Sequence, residues 1–186
     1  RLSTAVEQRV RLLEATLVDL YGERRLVKEG VLPASVLFGL PQLRTTATER
    51  RPRRWLVHVG VDLVRTVDGT WRVVQDLVDA TPGLGYALIN RAVMARLVSD
   101  SLRAAGVAPI AHHVTLLRQA LMAEAPTGRR SPRVVVLTGG PGHPTYIEHS
   151  YLAVQMGVHL VESSDLVVRK NQVWLRSLDG LEPIDV

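Results

Sequence analysis

A run of consecutive apolar residues followed by a glycine-rich loop constrains this fold more than any other feature of the sequence. Residues 133–137 are rich in valine and uninterrupted, which is typical of a strand covered on both faces. Residues 145–156 have the pattern of a helix that ends at Gly157, and residues 158–161 predict a second short strand. A strand, a helix and a strand in this order predict a βαβ unit with parallel strands and a right-handed crossover.

The rest of the chain is predicted to be helical first and mixed afterwards. Apolar residues three and four positions apart predict an amphipathic helix over 4–20, with Ser3 or Thr4 as its N-cap. Shorter patterns predict helices over 23–28, 34–38, 86–102 and 113–125, a loop over 41–54, a hairpin of strands 55–63 and 71–76 turning at Asp68-Gly69, a second hairpin of 166–169 and 173–176, and the start of another strand at 183–186. The fold class predicted is mixed α/β (α+β): a βαβ layer, an N-terminal helical segment and a β-hairpin.

Length and composition bound the organisation of the chain. Its 186 residues are enough for a single domain, which we divide into a helical segment with its loop (1–54), a hairpin with helices (55–132) and the βαβ unit with a second hairpin (133–186). The sequence contains no cysteine, which excludes disulfides, thiolate zinc sites and a cysteine nucleophile and fits a cytoplasmic protein. No apolar run is long enough to cross a bilayer, so no membrane partner is expected. Because the chain begins at Arg1 without a methionine, we expect a fragment of a larger protein.

The positive charge of the chain raises the question of nucleic acid. Its 23 Lys and Arg residues against 18 Asp and Glu give a net charge of +5, and arginines can replace the counterions of phosphates. Aromatic residues, on which bases would stack, make up only 4%. The one arginine cluster, Arg50–Arg54, lies in a Thr/Pro-rich stretch typical of a solvated loop. Nucleic-acid binding is therefore kept only as the third hypothesis.

The loop between the first strand and the helix of the βαβ unit is a candidate ligand site. Gly139, Gly140 and Gly142 let the backbone approach a ligand, and the N-terminus of the following helix favours an anion. His143, Tyr146 and Glu148 lie in the same segment. The alternative is a tight turn that needs positive φ, with Glu148 complementing the helix dipole. Zinc is not expected, since the second histidine of a metal motif is missing.

The first hairpin and the helix after it carry a second group of polar residues. Acidic and amide oxygens on antiparallel strands can hold magnesium between nucleotide phosphates, which makes Asp62, Gln75 and Asp76 candidates. Neighbouring strand residues face opposite sides, so only one of Gln75 and Asp76 can face such a site. The alternative is ordinary solvation with an Asp62–Arg65 ion pair. Further along the chain, Asn90 and Arg91 can contact phosphate or carboxylate, or lie at the surface.

Four strings give the sequence a family resemblance: LVDLYGERRLVKEGVLP, VDLVRTVDGTWRVVQD, PGLGYALINR, and LTGGPGHPTYIEHSYLAVQMGVHLVESSDLVVRKNQVWLRSLDGLEPIDV. In this order they resemble circularly permuted ATP-grasp proteins of type 2, which are related to the synthetase domain of glutathionylspermidine synthetase. The resemblance runs from about residue 6 to residue 186. Members of that family are much longer, so the chain resembles an internal piece of a bacterial-type member.

The resemblance implies an ATP-dependent carboxylate–amine ligase that activates a carboxylate as an acyl phosphate. It implies that the βαβ part is the Rossmann-like pre-ATP-grasp region, that ATP and Mg are the cofactors, and that the partners are a small-molecule or peptide substrate with carboxylate and amine and the remaining ATP-grasp domain of the same polypeptide. By motif position, the residues on the nucleotide and phosphate side are Asp62, Arg65, Asp76, Asn90 and Arg91, with Asp76 as a weak Mg ligand. The residues on the substrate side are Gly139, Gly140, Gly142, His143, Tyr146 and Glu148, within the segment Thr138–Glu148.

The sequence departs from the family pattern beside the aspartate. Many relatives have glutamate where this chain has Gln75 and asparagine where it has Leu77, and their Pro-Ser-Gly is here Thr81-Pro82-Gly83. Neutral Gln75 and apolar Leu77 weaken magnesium binding. The competing hypothesis is therefore a non-catalytic binding or scaffold module of the same fold. We expect this piece alone to be inactive, and an unpaired edge at 184–186 to make it self-associate into a homo-oligomer.

Overall fold

A computed structural model describes residues 2–44, 52–79, 81–126 and 128–186 of the chain. It has the mixed α and β composition that the sequence predicts. Contacts between Cα atoms divide it into two compact units, residues 1–79 and residues 80–186. Among the described residues, the first unit contains one sheet and the second contains two.

Among its described residues, the first unit contains three helices and one antiparallel hairpin. Its elements are α1 (Leu2–Leu20), α2 (Arg25–Lys28), α3 (Ala34–Phe38), β1 (Gly60–Arg65) and β2 (Trp71–Leu77). The Asp19 carboxylate at the end of α1 accepts the backbone N–H groups of Arg25 and Leu26 at 2.8 and 3.0 Å, so it caps α2. Leu37 of α3 is only 2% exposed. The predicted helices are confirmed, although α1 begins before the predicted N-cap.

The first strand is shorter than predicted at its N-terminal end. It begins at Gly60, so residues 55–59 lie outside the sheet. Two contacts hold this segment elsewhere: the Glu14 carboxylate accepts the N–H groups of Trp55 and Leu56 at 2.8 Å each, and the Trp55 ring stacks on Tyr21 at 4.3 Å. The turn at Asp68-Gly69 is confirmed, with Gly69 at φ +83°. Of the predicted loop and the Arg50–Arg54 cluster, residues 45–51 lie outside the described residues.

The second unit contains the βαβ segment and a three-stranded antiparallel sheet. Its elements are α4 (Leu84–Leu97), α5 (Ser99–Ala104), α6 (His112–Ala123), β3 (Val135–Leu137), α7 (Tyr146–Met156), β4 (His159–Val161), a 3₁₀ turn (Ser163–Asp165), β5 (Leu166–Arg169), β6 (Gln172–Ser177) and β7 (Gly180–Pro183). Strands β3 and β4 pair in parallel on either side of α7, which confirms the βαβ prediction. Gly157 ends α7 at φ +64°. Leu88, Val114 and Met156 form the core cluster, so α4, α6 and α7 share one apolar interior.

Three predictions for this unit are corrected. The helix predicted over 86–102 is broken at Val98, where φ is −137°, because Ser99 and Asp100 are residues that favour the start of a new helix. The strand predicted to start at Pro183 is instead β7, which ends there and pairs with β6 after a turn in which Gly180 has φ +118°. Beyond β7 the N–H of Ile184 still donates to the carbonyl of Val173 in β6 at 3.0 Å, and the carbonyl of Val186 accepts the N–H of Val135 at 3.0 Å, so residues 184–186 are not the unpaired edge that the sequence predicts.

Candidate functional site

The hairpin presents its polar residues on opposite faces. The pairing register shifts after Asp62, which leaves Val74 as a β-bulge; Asp62 lies opposite Gln75, and Asp76 lies opposite Val61. Side chains alternate along a strand, so Asp62 and Gln75 share one face and Asp76 is on the other. The face of Asp62 is exposed, whereas Val61 and Asp76 are half-buried. The hairpin therefore places Asp62 and Asp76, both predicted for the nucleotide side, on opposite faces.

Asp76 is held by an arginine that the sequence analysis did not identify. Its two carboxylate oxygens accept hydrogen bonds from Nε and Nη2 of Arg9 on α1, at 2.7 Å each. This forked geometry is the one in which a guanidinium matches a carboxylate best. The hydrogen bonds from Arg9 lower the pKa of the Asp76 carboxyl below its ordinary value, although burial opposes them, and the pKa of Arg9 is raised in return. Arg9 lies 67 positions away, so no local sequence pattern points to the pair.

Magnesium has a poor set of ligands in the part of the chain that the structure describes. No three carboxylate or imidazole side chains come together there as a metal cluster. Asp76 already uses both oxygens for Arg9, and Gln75 lies on the opposite face of the hairpin. A cation bound to Asp76 would have to share or displace the guanidinium. The assignment of Asp76 as a weak Mg ligand stays a prediction.

The other residues predicted for the nucleotide side have separate surroundings. Arg65 lies over the hairpin turn, with Nε 3.4 Å from the carbonyl oxygen of Gly69, and among the described residues it makes no ion pair with Asp62. Arg91 of α4 donates from Nη2 to the carbonyl of Val107 at 2.8 Å, and Asn90 beside it is exposed. Asp62, Arg65 and Asp76 belong to the first unit and Asn90 and Arg91 to the second. Their predicted roles remain predictions.

The glycines of the 139–142 loop differ in why they are needed. A Cβ on Gly139 would lie 2.9 Å from the His143 ring, and a Cβ on Gly140, which has φ +85°, would lie 3.2 Å from the carboxylate of Glu162. Local packing therefore explains these two without a ligand. Gly142 has open space around it and no positive φ. Of the three, Gly142 alone has no local structural reason to be glycine.

Four side chains form a hydrogen-bonded chain between this loop and α7. Thr145 joins the two imidazoles, since its hydroxyl lies 2.8 Å from Nδ1 of His143 and 3.0 Å from Nε2 of His149. His149 continues to the buried Thr138, with Nδ1 3.2 Å from Oγ1. The two rings are stacked at 5.9 Å. Thr138 is fixed in turn by its N–H, which donates to the carbonyl of Val161 at 2.8 Å.

The backbone of Thr145 favours one tautomer of His143. The N–H of Thr145 donates to Nδ1 of His143 at 3.3 Å, which favours the neutral form with its proton on Nε2. The Thr145 hydroxyl can then also donate to Nδ1 and accept from Nε2–H of His149, whose Nδ1 accepts from Thr138. Because His143 is exposed, its Nε2–H is left as a fixed donor at the carboxyl end of β3, the end at which open α/β sheets bind ligands.

Glu148 does not lie on the surface of the substrate-side loop. It is 1% exposed, and its Oε1 accepts the backbone N–H groups of Gly83 and Gly85 at 2.7 and 2.8 Å. The structure thus joins two motifs that the sequence analysis treated separately, the PGLG segment and the helix of the βαβ unit. Tyr146, in the same first turn of α7, is half-buried.

Comparison with known proteins identifies the family. The model of the circularly permuted ATP-grasp type 2 family matches residues 1–186. An uncharacterised protein of Mycobacterium tuberculosis (strain H37Rv) is 41% identical over 187 residues, covering 100% of this chain and 21% of its own length. A second M. tuberculosis protein is 37% identical over 188 residues, covering 100% and 34%. A Frankia casuarinae protein named "Putative glutamate--cysteine ligase 2-2" is 42% identical over 181 residues, covering 96% and 21%.

The chain spans between 21% and 34% of the length of these curated relatives, and the family resemblance seen in the sequence is confirmed. No described helix has both the length and the apolar character that crossing a membrane demands. By its match over the whole sequence, the chain belongs to the circularly permuted ATP-grasp type 2 family.

Proposed function

We propose that this chain is the pre-ATP-grasp part of an ATP-dependent carboxylate–amine ligase and that its 139–149 segment faces the carboxylate substrate. In such a reaction a carboxylate oxygen attacks the γ-phosphorus of ATP and ADP leaves. The amine nitrogen then attacks the acyl carbon, phosphate leaves, and an amide forms. The name of the Frankia relative suggests an amino acid as the carboxylate and a second as the amine. The use of ATP implies the cytoplasm as the compartment.

The observation that carries this proposal is the fixed Nε2–H donor of His143. The backbone N–H of Thr145 favours this tautomer, and contacts through Thr145 to His149 and Thr138 hold the ring, so the donor is prepared before the substrate arrives. It stands beside the N-terminus of α7, an 11-residue helix whose dipole also favours an anion. The open space at Gly142 leaves room for a ligand to approach. A carboxylate is the anion that the proposed ligase must bind at this end.

The role of His143 is tested in the full-length protein by two substitutions, each of which replaces only one of the two ring nitrogens. In His143→Gln the amide nitrogen replaces the Nε2–H donor, whereas in His143→Asn the side chain reaches only to the Nδ1 position. If Nε2–H binds the carboxylate, His143→Asn raises the KM for the carboxylate by about tenfold, in line with the loss of a charge-assisted hydrogen bond, and His143→Gln raises it less. Val154→Ala, 73% exposed on α7 and outside this segment, is the matched control. Equal KM values in His143→Asn, His143→Gln and the control contradict the role.

The nucleotide half of the proposal is tested by titrating the full-length protein with MgATP. ATP and Mg supply the phosphoryl group and its charge neutralisation when they are bound. If Asp76 contacts the cation, Asp76→Ala abolishes micromolar binding, while Arg9→Ala, which frees the same carboxylate, retains it. Equal losses in both variants mean that the pair is structural. We also expect the piece 1–186 alone to turn over no ATP, because a phosphate clamp needs more groups than the described residues supply.

A scaffold module of the same fold is the second candidate function. It is favoured by the Arg9–Asp76 pair, which occupies both oxygens of the carboxylate, together with the neutral Gln75 and apolar Leu77 beside it. Absence of nucleotide binding by the full-length protein at millimolar MgATP would favour this function. Formation of a hydroxamate when ATP, an amino acid and hydroxylamine are added would contradict it, since hydroxylamine traps an acyl phosphate.

A further inference from the structure

A buried carboxylate of α7 takes the place of the missing N-cap of α4. Helix α4 is preceded by Gly83, which has φ +112° and no side chain with which to cap the first N–H groups. Oε1 of Glu148 accepts two of them, from Gly83 and Gly85, across 65 and 63 positions of sequence. The 14-residue α4 therefore begins on a residue of another helix.

Gly85 is shaped around the same carboxylate. It is buried, and a Cβ there would lie 2.8 Å from Cγ and 3.3 Å from the carbonyl oxygen of Glu148. Real Cβ atoms do not approach a carbon so closely, and Gly85 has no positive φ, so its identity is set by the contact with Glu148 rather than by backbone conformation. Glycine and glutamate here form one packing unit.

Only one of the two carboxylate oxygens of Glu148 takes part in the contact. A carboxylate at a helix N-terminus is stabilised by the dipole and by the N–H groups that it accepts. Oε2 of the same group is buried and, among the described residues, has no hydrogen-bond partner. Burying a carboxylate costs free energy, and the two N–H groups that Oε1 accepts offset part of that cost.

We propose that Glu148 is a positioning residue: it fixes the first turn of α4, and through it the placement of Asn90 and Arg91, for nucleotide binding. Both residues lie within the next two turns of the same helix, so a shift of the first turn is passed to them. The proposal rests on the proposed ligase function for its consequence, but the hydrogen bonds themselves stand independently of it. It gives Glu148 a different role from the substrate contact that the sequence resemblance implies.

Hydrogen exchange in the full-length protein tests the contact directly. In Glu148→Ala we expect the amides of Gly83 and Gly85 to exchange at least about tenfold faster, because each loses a charge-assisted bond. In Glu148→Gln the amide oxygen can still accept both N–H groups, so exchange rises by less than about threefold. Val154→Ala, 73% exposed on α7, is the control and leaves both amides unchanged. Unchanged exchange at Gly83 and Gly85 in Glu148→Ala overturns the proposal.

A double-mutant cycle separates this contact from general damage to the core. Gly85→Ala alone lowers the melting temperature because its Cβ meets Cγ of Glu148 at 2.8 Å, whereas in a Glu148→Ala background, where only the backbone carbonyl at 3.3 Å remains, the same substitution lowers it by much less. If the two losses simply add, the Cβ meets something else and the proposal fails. The cycle needs no nucleotide, so its result is independent of the proposed function.

Nucleotide affinity shows whether the Glu148 contact positions Asn90 and Arg91 for binding or only stabilises the fold. Where the wild type binds MgATP, Glu148→Ala should weaken binding by about tenfold at a temperature at which the variant is fully folded, and Glu148→Gln should restore most of it. Faster exchange with unchanged affinity means that Glu148 is structural and overturns the positioning role. If the wild type does not bind MgATP, the proposed function is refuted, and the positioning role of Glu148 fails with it. Hydrogen exchange still tests whether Glu148 caps α4.

Discussion

Replacing Glu14 should release the segment that leads into the first hairpin. The carboxylate accepts the N–H groups of Trp55 and Leu56 at 2.8 Å each, and the Trp55 ring stacks on Tyr21 at 4.3 Å. These contacts hold Trp55 and Leu56 away from the sheet. Glu14 is therefore the residue of α1 that fixes the start of this segment.

The size of the effect follows from the two hydrogen bonds. A net contribution of about 1.5 to 3 kcal/mol is typical for a bond to a charged group. Glu14 is half-buried and both bonds share one carboxylate, so we take the lower end and expect a loss of about 2 kcal/mol in local stability. That corresponds to roughly thirtyfold faster exchange of the two amides. In Glu14→Gln the side-chain amide nitrogen replaces one acceptor oxygen and would face an N–H donor. This variant should therefore lose at least half of the stabilisation that the two hydrogen bonds provide.

Hydrogen exchange at Trp55 and Leu56 measures this loss, and Trp55 fluorescence reports the stacking on Tyr21. Glu7→Gln is the matched control, because Glu7 lies two turns earlier on α1, its side chain is 66% exposed and its contact with Arg11 is 4.0 Å long. An exposed pair of that kind contributes little. If exchange in Glu14→Gln and Glu14→Ala equals that of Glu7→Gln, the two hydrogen bonds do not hold the segment and the reasoning is refuted.

Three further predictions concern other contacts. Because Arg9 lowers the pKa of the Asp76 carboxyl, the pair stabilises the fold at pH values above the ordinary carboxyl pKa of 3.8, and this stabilisation is lost as the pH falls through the lower pKa of the folded state. Carboxyl NMR should therefore show Asp76 titrating below 3.8. In Asp76→Asn the free energy of unfolding should depend less on pH in the acid range. Met156→Ala, at a position 4% exposed in the core, should cost about 2 to 4 kcal/mol in urea unfolding, against less than about 0.5 for Val154→Ala. Gly157→Ala, at φ +64°, should cost about 1 kcal/mol by the same assay, and no loss would mean that the end of α7 adapts.

Elements with local chemical signals were predictable from the sequence. The βαβ segment is marked by an apolar run, a helical period and Gly157, and all three determine structure within a few residues of themselves. The turn at Asp68-Gly69 is of the same kind. The hairpin predicted from 166–169 and 173–176 is also confirmed, but Gln172 belongs to β6, so the loop is the two residues Lys170 and Asn171, both with positive φ.

Features that depend on a distant partner were not predictable. Residues 55–59 have an apolar pattern that suits a strand, but Glu14 takes two of their N–H groups. Arg9 and Asp76 are 67 positions apart, and Glu148 and Gly85 are 63 apart. Nothing near any of these residues specifies its partner, since the choice is made by packing. The candidate site was therefore predicted as a set of residues but not as a set of contacts.

The choice between ligase and scaffold comes down to the Arg9–Asp76 pair. Magnesium needs carboxylate oxygens, and here both are hydrogen-bonded to one guanidinium. If the ligase hypothesis is right, the cation competes with Arg9 for Asp76, and removing Arg9 should strengthen Mg²⁺ binding while it lowers the stability of the hairpin at neutral pH, where the pair contributes in full. If the scaffold hypothesis is right, the pair has no competitor, and removing Arg9 changes stability alone. Removing Arg9 thus changes both Mg²⁺ affinity and stability if the protein is a ligase, and changes stability alone if it is a scaffold.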